Sequence, residues 1–84
     1  MGKLKLDLHE IYNKGDAIDT ELERVIDEAI AKRVKLVEII HGKGSGQLKK
    51  RVLKYLDQPR IKAKYHRLDK DERNHGRLFL RFKH

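Results

Sequence analysis

The run from Val34 to Ile40 constrains this chain more than any other stretch. It is almost continuously apolar and β-branched, and it stops at His41-Gly42-Lys43-Gly44-Ser45-Gly46. Such a run suits an interior strand. A helical pattern begins near Gln47. Strand, glycine-rich turn and helix N-terminus in that order make a natural anion site. Glycines let backbone N–H groups come close to a ligand, and the first turn of a helix carries unpaired donors and the positive end of its dipole. The turn lacks the Gly-Lys-Ser/Thr ending of a nucleotide-hydrolase phosphate loop.

The flanking segments supply the rest of a sheet and two helices. Lys3 to His9 alternates, with Leu4, Leu6 and Leu8 on one side and Lys3, Lys5, Asp7 and His9 on the other. That is a strand with one buried face, and Asp7 and His9 share the open one. Glu10 to Gly15 connects it to an amphipathic helix over Asp16 to Arg33, whose stripe is Ile18, Leu22, Val25, Ile26, Ala29 and Ile30. Asp16 is the expected N-cap. A second helix runs from Gln47 to Asp57, with Leu48, Val52, Tyr55 and Leu56 inward and Lys49, Lys50, Arg51 and Lys54 outward. Ser45 or Gly46 is its expected cap, and Gln58-Pro59 ends it. Ile61 to Leu68 alternates and reads as a third strand. Asn74-His75-Gly76 reads as a turn, and Arg77 to Lys83 as a fourth strand with Leu78, Leu80 and Phe82 inward.

The resulting order, βαβαββ, predicts an α/β two-layer sandwich in one domain spanning residues 1–84. Its mixed four-stranded sheet should carry both helices on one face, because two crossovers of the same hand place them together. The opposite face should be open and basic, with Lys5, Lys64, Arg77 and Arg81 among its cations and Phe79 as its aromatic. Such a face suits a phosphate backbone and a stacked base.

Composition narrows the chemistry. The formal charge of +8 points to a polyanionic partner, nucleic acid before membrane. The absence of cysteine removes disulfide scaffolds, thiolate metal sites and cysteine nucleophiles. No apolar run approaches a membrane span and no signal core is evident, so the expected location is cytoplasmic. Asp7 and His9 end the first strand, while His41 and the glycine turn end the second. Ligands of parallel α/β units gather at such strand ends. Two histidines beside a phosphate can serve as general base and general acid. On RNA the 2′-OH is an available nucleophile and no metal is required. On DNA water must attack, and a divalent ion such as magnesium or manganese, held by Asp7, would assist.

Leu6-Asp7-Leu8-His9 together with His41-Gly42-Lys43-Gly44-Ser45-Gly46 resembles the LDLH and HGxGxG motifs of the Smr (small MutS-related) domain. The likeness extends over essentially the whole chain and is to the stand-alone bacterial kind. It implies a fold like the C-terminal domain of bacterial translation initiation factor three, and endonuclease activity that cleaves RNA or nicks DNA, in some members on ribosome-bound message. Carried over by position, the resemblance makes Asp7 and His9 motif residues of the catalytic centre, with His41, Gly42 and Gly44 as the second motif. Lys43, Ser45, Gly46, Lys49 and Lys50 would support phosphate. Two departures bear on substrate preference: Glu10 follows the first motif where Gly or Arg is common, and Asn74-His75-Gly76 keeps a single glycine before the last strand. The alternative is a module that binds nucleic acid or ribosome without cutting.

Overall fold

A computed structural model describes residues 2–8, 11, 14–42, 46–70 and 76–83. Strand β1 (Lys3–Asp7) leads to helix α1 (Gly15–Ala31), strand β2 (Leu36–Ile40), helix α2 (Gln47–Leu56), the short helix α3 (Pro59–Lys62), and strands β3 (Arg67–Lys70) and β4 (Arg77–Arg81). The sheet order is β1-β2-β4-β3. β1 and β2 are parallel, and β4 runs antiparallel to both β2 and β3. β2 is therefore interior, as its near-continuous apolar sequence requires, and β3 forms an edge.

The two faces follow from register. Leu6 pairs with Ile39, which pairs with Leu78, and Val37 pairs with Leu80, which pairs with Leu68. These residues share one face and pack with Ile18, Leu22, Val25, Ile26 and Ala29 of α1, Val52, Tyr55 and Leu56 of α2 and Ile61 of α3 in a single core. Both long helices therefore lie on that face, and each fully buried leucine or isoleucine contributes about 1.5–3 kcal/mol. Arg51 of α2 crosses to α1, where its guanidinium lies over Gly15 and meets the Asp19 carboxylate at 3.2 Å.

Three expectations need correction. α1 begins at Gly15 with Lys14 at the N-cap and no side-chain cap, so Asp16 lies inside the first turn and acts there through its charge. The alternation of Ile61 to Leu68 is not a strand throughout. Gln58 is extended, Pro59 takes the first helical position, and one turn of helix buries Ile61. Proline's fixed φ favours that turn, and β3 starts only at Arg67. Lys64 therefore does not project from the open sheet face. It lies between α3 and β3 and bonds Asp27 of α1 at 3.1 Å, on the helical side. The Asn74-His75 part of the expected turn lies outside the described residues.

The open face is also less basic than its sequence suggests. Glu38 lies at its centre, its side chain only 3% exposed, and takes Lys3 Nζ at 2.8 Å on one oxygen and Arg77 Nη1 at 2.9 Å on the other. Both partners are diagonal neighbours across the ladder, within reach of long side chains. Asp69 of β3 likewise gathers Arg67, at 2.9 Å, and Arg81. Phe79, half-buried, pairs with Glu38 on one side and Asp69 on the other.

Candidate functional site

The carboxyl ends of β1 and β2 meet where α2 begins. Asp7 is opposite Ile40, and the Leu8 N–H donates to the Ile40 carbonyl at 2.8 Å, so the parallel pairing continues past the end of β1. His41 is the next residue of the neighbouring strand, about 4.8 Å across. The sheet brings Asp7 and His41 to the same edge but not to the same side. Asp7 is exposed on the open face; His41 is buried, and the charge of Lys49 on the first turn of α2 acts on it. A ligand at this edge would meet the carboxylate from one side of the sheet and the imidazole from the other.

The turn is fastened from β4. The N–H groups of His41 and Gly42 both donate to the Gly76 carbonyl, at 2.9 and 3.2 Å. Gly42 has φ +81° and Gly46 φ +87°, in the region that favours glycine. Gly46 occupies the N-cap of α2 and offers no side-chain oxygen, and the first turn carries no acidic residue. Among the described residues no side chain caps the first N–H groups of α2, and Lys49 and Lys50 lie beside the dipole's positive end, an arrangement suited to an anion. An added Cβ at Gly46 would meet nothing within 4 Å, so Gly46→Ala probes backbone conformation alone. The expected cost is about 1–2 kcal/mol in urea unfolding, accompanied by weaker binding of inorganic phosphate or oligonucleotide as the turn relaxes.

His41 is 5% exposed, and its Nε2 has no hydrogen-bond partner among the described residues. Burial pushes its pKa below the ordinary histidine value, the nearby Lys49 cation pushes the same way, and a backbone hydrogen bond at Gly42 opposes them. The imidazole is therefore neutral at pH 7, with one nitrogen available. A buried polar atom without a partner costs about 1–3 kcal/mol; the Tyr55 hydroxyl in the core is the other such atom among the described residues, and of the two only His41 stands at the strand ends.

Lys5 is exposed on the open face, and Arg77 and Arg81 are there as expected, each held by a carboxylate. His9, Lys43, Gly44 and Ser45 lie outside the described residues. Sequence reasoning missed Glu38 and the Gly76 carbonyl. The signal for Glu38 was a single acid inside an otherwise apolar strand; a backbone carbonyl has none. Among the described residues no group of three or more histidines and carboxylates could hold a metal ion. Asp7 is the carboxylate those residues place at this edge, and a divalent ion there would rest on it. No helix among the described residues is long and apolar enough to cross a membrane.

The fold and this edge define a two-layer α/β domain with a basic, glycine-lined strand-end site. The chain belongs to the Smr domain family, whose model matches residues 6–83. It is 41% identical over 64 residues to the protein named endonuclease MutS2 of Leuconostoc mesenteroides subsp. mesenteroides, a match that covers 76% of this chain and 8% of that protein. It is 33% identical over 73 residues to endonuclease MutS2 of Maridesulfovibrio salexigens, covering 87% of this chain and 9% of that one. The chain thus spans less than a tenth of the length of these relatives. The crystal structure of the Smr domain of Thermus thermophilus MutS2 superposes with a TM-score of 0.72, covering 100% of both chains at 18% identity.

Proposed function

We propose that this protein is a small endonuclease acting on phosphodiester bonds in the cytoplasm, RNA ahead of DNA, with its centre at the joined ends of β1 and β2. The observation that carries the reading is His41. It is a buried, neutral imidazole whose Nε2 has no partner among the described residues, set beside a helix N-terminus that favours phosphate. Its relatives named endonuclease MutS2 support the same reading.

On RNA the chemistry closes without further reagents. The N–H groups at the start of α2, with Lys49 and Lys50, hold the phosphate and its developing charge. A neutral imidazole, His41 or His9, takes the proton of the 2′-OH as that oxygen attacks phosphorus. The bond to the 5′ oxygen breaks, and the other histidine, protonated, supplies the departing oxygen with a proton. The products are a 2′,3′-cyclic phosphate and a 5′-hydroxyl. Asp7 orients or charges this pair from the open side. The lowered pKa of His41 fits it to the base role, because its free form persists through neutral pH.

Incubation with single-stranded RNA and with supercoiled DNA, each with and without EDTA, tests the reading. RNA cleavage that survives EDTA and leaves a 2′,3′-cyclic end is the expected result. Nicking of DNA that EDTA abolishes would move the function to metal-assisted hydrolysis. Salt-sensitive binding with no cleavage of either substrate would leave a binding module.

A further inference from the structure

A groove of about 770 Å³ opens between α2 and edge strand β3, away from the strand-end site. Leu53, Tyr65 and Leu68 form part of its lining, with Lys54, His66 and Lys70 around them. Tyr65 is pinned by its hydroxyl, which donates to the Leu56 carbonyl at 2.8 Å. Lys54 and Lys70 are exposed and have no carboxylate partner among the described residues, unlike Lys62, which meets Asp57 at 3.0 Å. Lys50, also exposed and unpaired among those residues, lies on the same side of α2 one turn before Lys54.

Lys50 and Lys54 are about 6 Å apart along the axis of α2, and Lys70 stands across the groove at the end of β3, where its partner Leu78 is level with Ile39 near the strand ends. The interval between Lys50 and Lys54 suits the successive phosphates of an extended strand. The apolar lining offers a surface for a base. A groove of this volume accommodates a drug-sized group, the bulk of a nucleotide or so, and its apolar lining suits an unpaired base. We propose that the groove holds a single-stranded flank of the nucleic acid whose scissile phosphate lies at the strand-end site. The proposal rests on the nucleic-acid reading above and adds to it a strand state and a path. The open sheet face is the poorer route, since Glu38 and Asp69 already engage Lys3, Arg77, Arg67 and Arg81.

Fluorescence anisotropy with labelled oligouridylates of about four and about sixteen nucleotides tests it on the full chain and on Lys54→Ala/Lys70→Ala. Both residues are exposed, so the double variant should keep its fold, checked by its thermal unfolding curve. The wild type should bind the longer strand more tightly. The double variant should lose most of that advantage, about tenfold in affinity, and its salt slope should fall by about 1.4, or about 0.7 for each phosphate contact removed. Unchanged affinity for the longer strand in the folded variant overturns the proposal, as does an equal loss on a duplex of the same length. Displacement of the longer strand by oligoglutamate at lower concentration would overturn it in favour of an acidic peptide. Loss of binding in the variant from a wild type that cleaves neither substrate upholds the groove and removes the nuclease reading. Cleavage with no dependence on Lys54 and Lys70 does the reverse.

Discussion

Replacing His41 by leucine is expected to lower kcat/KM for RNA cleavage by about 10²–10⁴-fold with little change in the stability of the domain. The two effects part because of Nε2. Leucine is close to histidine in size; it removes a buried polar atom that has no partner among the described residues and, with it, the backbone hydrogen bond at Gly42, and the two offset, so stability should hold within about 1 kcal/mol. A purely structural histidine would behave the other way, its loss costing stability with activity following in proportion. Asp7→Asn, on the exposed side of the same edge, should lower the rate as well. The pH dependence gives a second check. His41 has a lowered folded pKa, so on acidification the unfolded chain takes up a proton at this residue before the folded one does. Its contribution to stability is intact above the ordinary histidine pKa of about 6.5 and falls with pH below that value, down to the folded pKa. The difference between wild type and His41→Leu in urea unfolding should open in that window, and the cleavage rate should fall only at its lower edge, as pH passes the folded pKa.

Glu38→Gln is expected to cost about 1.5 kcal/mol in urea unfolding, and Glu38→Ala about 2–3 kcal/mol. The carboxylate is buried at the middle of the open face, one cation on each oxygen. The lower figure applies to glutamine because Lys3 and Arg77 remain 49% and 42% exposed, and water takes them back when the charge is gone. The hydrogen bond from Lys3, followed by the charges of Lys3, Arg77 and Lys5, holds the carboxyl below the ordinary glutamate value, against the opposing effect of burial. A depressed folded pKa contributes stability that is present above the unfolded carboxylate value of about 4.3 and is lost as pH falls through the folded value. The wild type and Glu38→Gln should therefore converge in stability in acid, as pH falls from the unfolded carboxylate value through the lower folded one. Arg77 would also lose its fixed position beside Ile40, at the strand end, so Glu38→Gln should weaken oligonucleotide binding modestly at neutral pH. Equal stability of the two proteins at neutral pH would reduce the buried cluster to a surface contact.

Much of the architecture was legible from periodicity. The leucines of β1, the apolar run of β2 and the Leu78, Leu80, Phe82 series each carry a burial pattern that register then enforces. The error at Ile61 to Leu68 is instructive. An alternation of Ile, Ala and Tyr with Lys and His matches a strand, but Pro59 sets the first helical position, and Ile61 is buried from a single helical turn. Six or seven residues of alternation do not outweigh one preorganised φ. The charge of the open face was misjudged for a different reason. Net charge counts side chains but not their partners, and Glu38 meets Lys3 and Arg77 across 35 and 39 residues of sequence. Of the strand-end site, Asp7 and His41 were visible as residue types in a telling position. That they approach the edge from opposite sides of the sheet depends on which parity faces the helices, and only the assembled sheet determines that.

The Gly76 carbonyl that fastens His41 and Gly42 has a consequence for how the molecule is made. β4 comes last in chain order yet inserts between β2 and β3. Until it does, β1, α1 and β2 can associate as a unit, but the two N–H groups of the turn have nothing to hold them. The site matures with the final strand and not with the βαβ unit that carries its side chains. Contacts of such long sequence separation form late and slowly. A chain that ends before β4, however basic, would lack the Gly76 carbonyl that fixes the turn after β2.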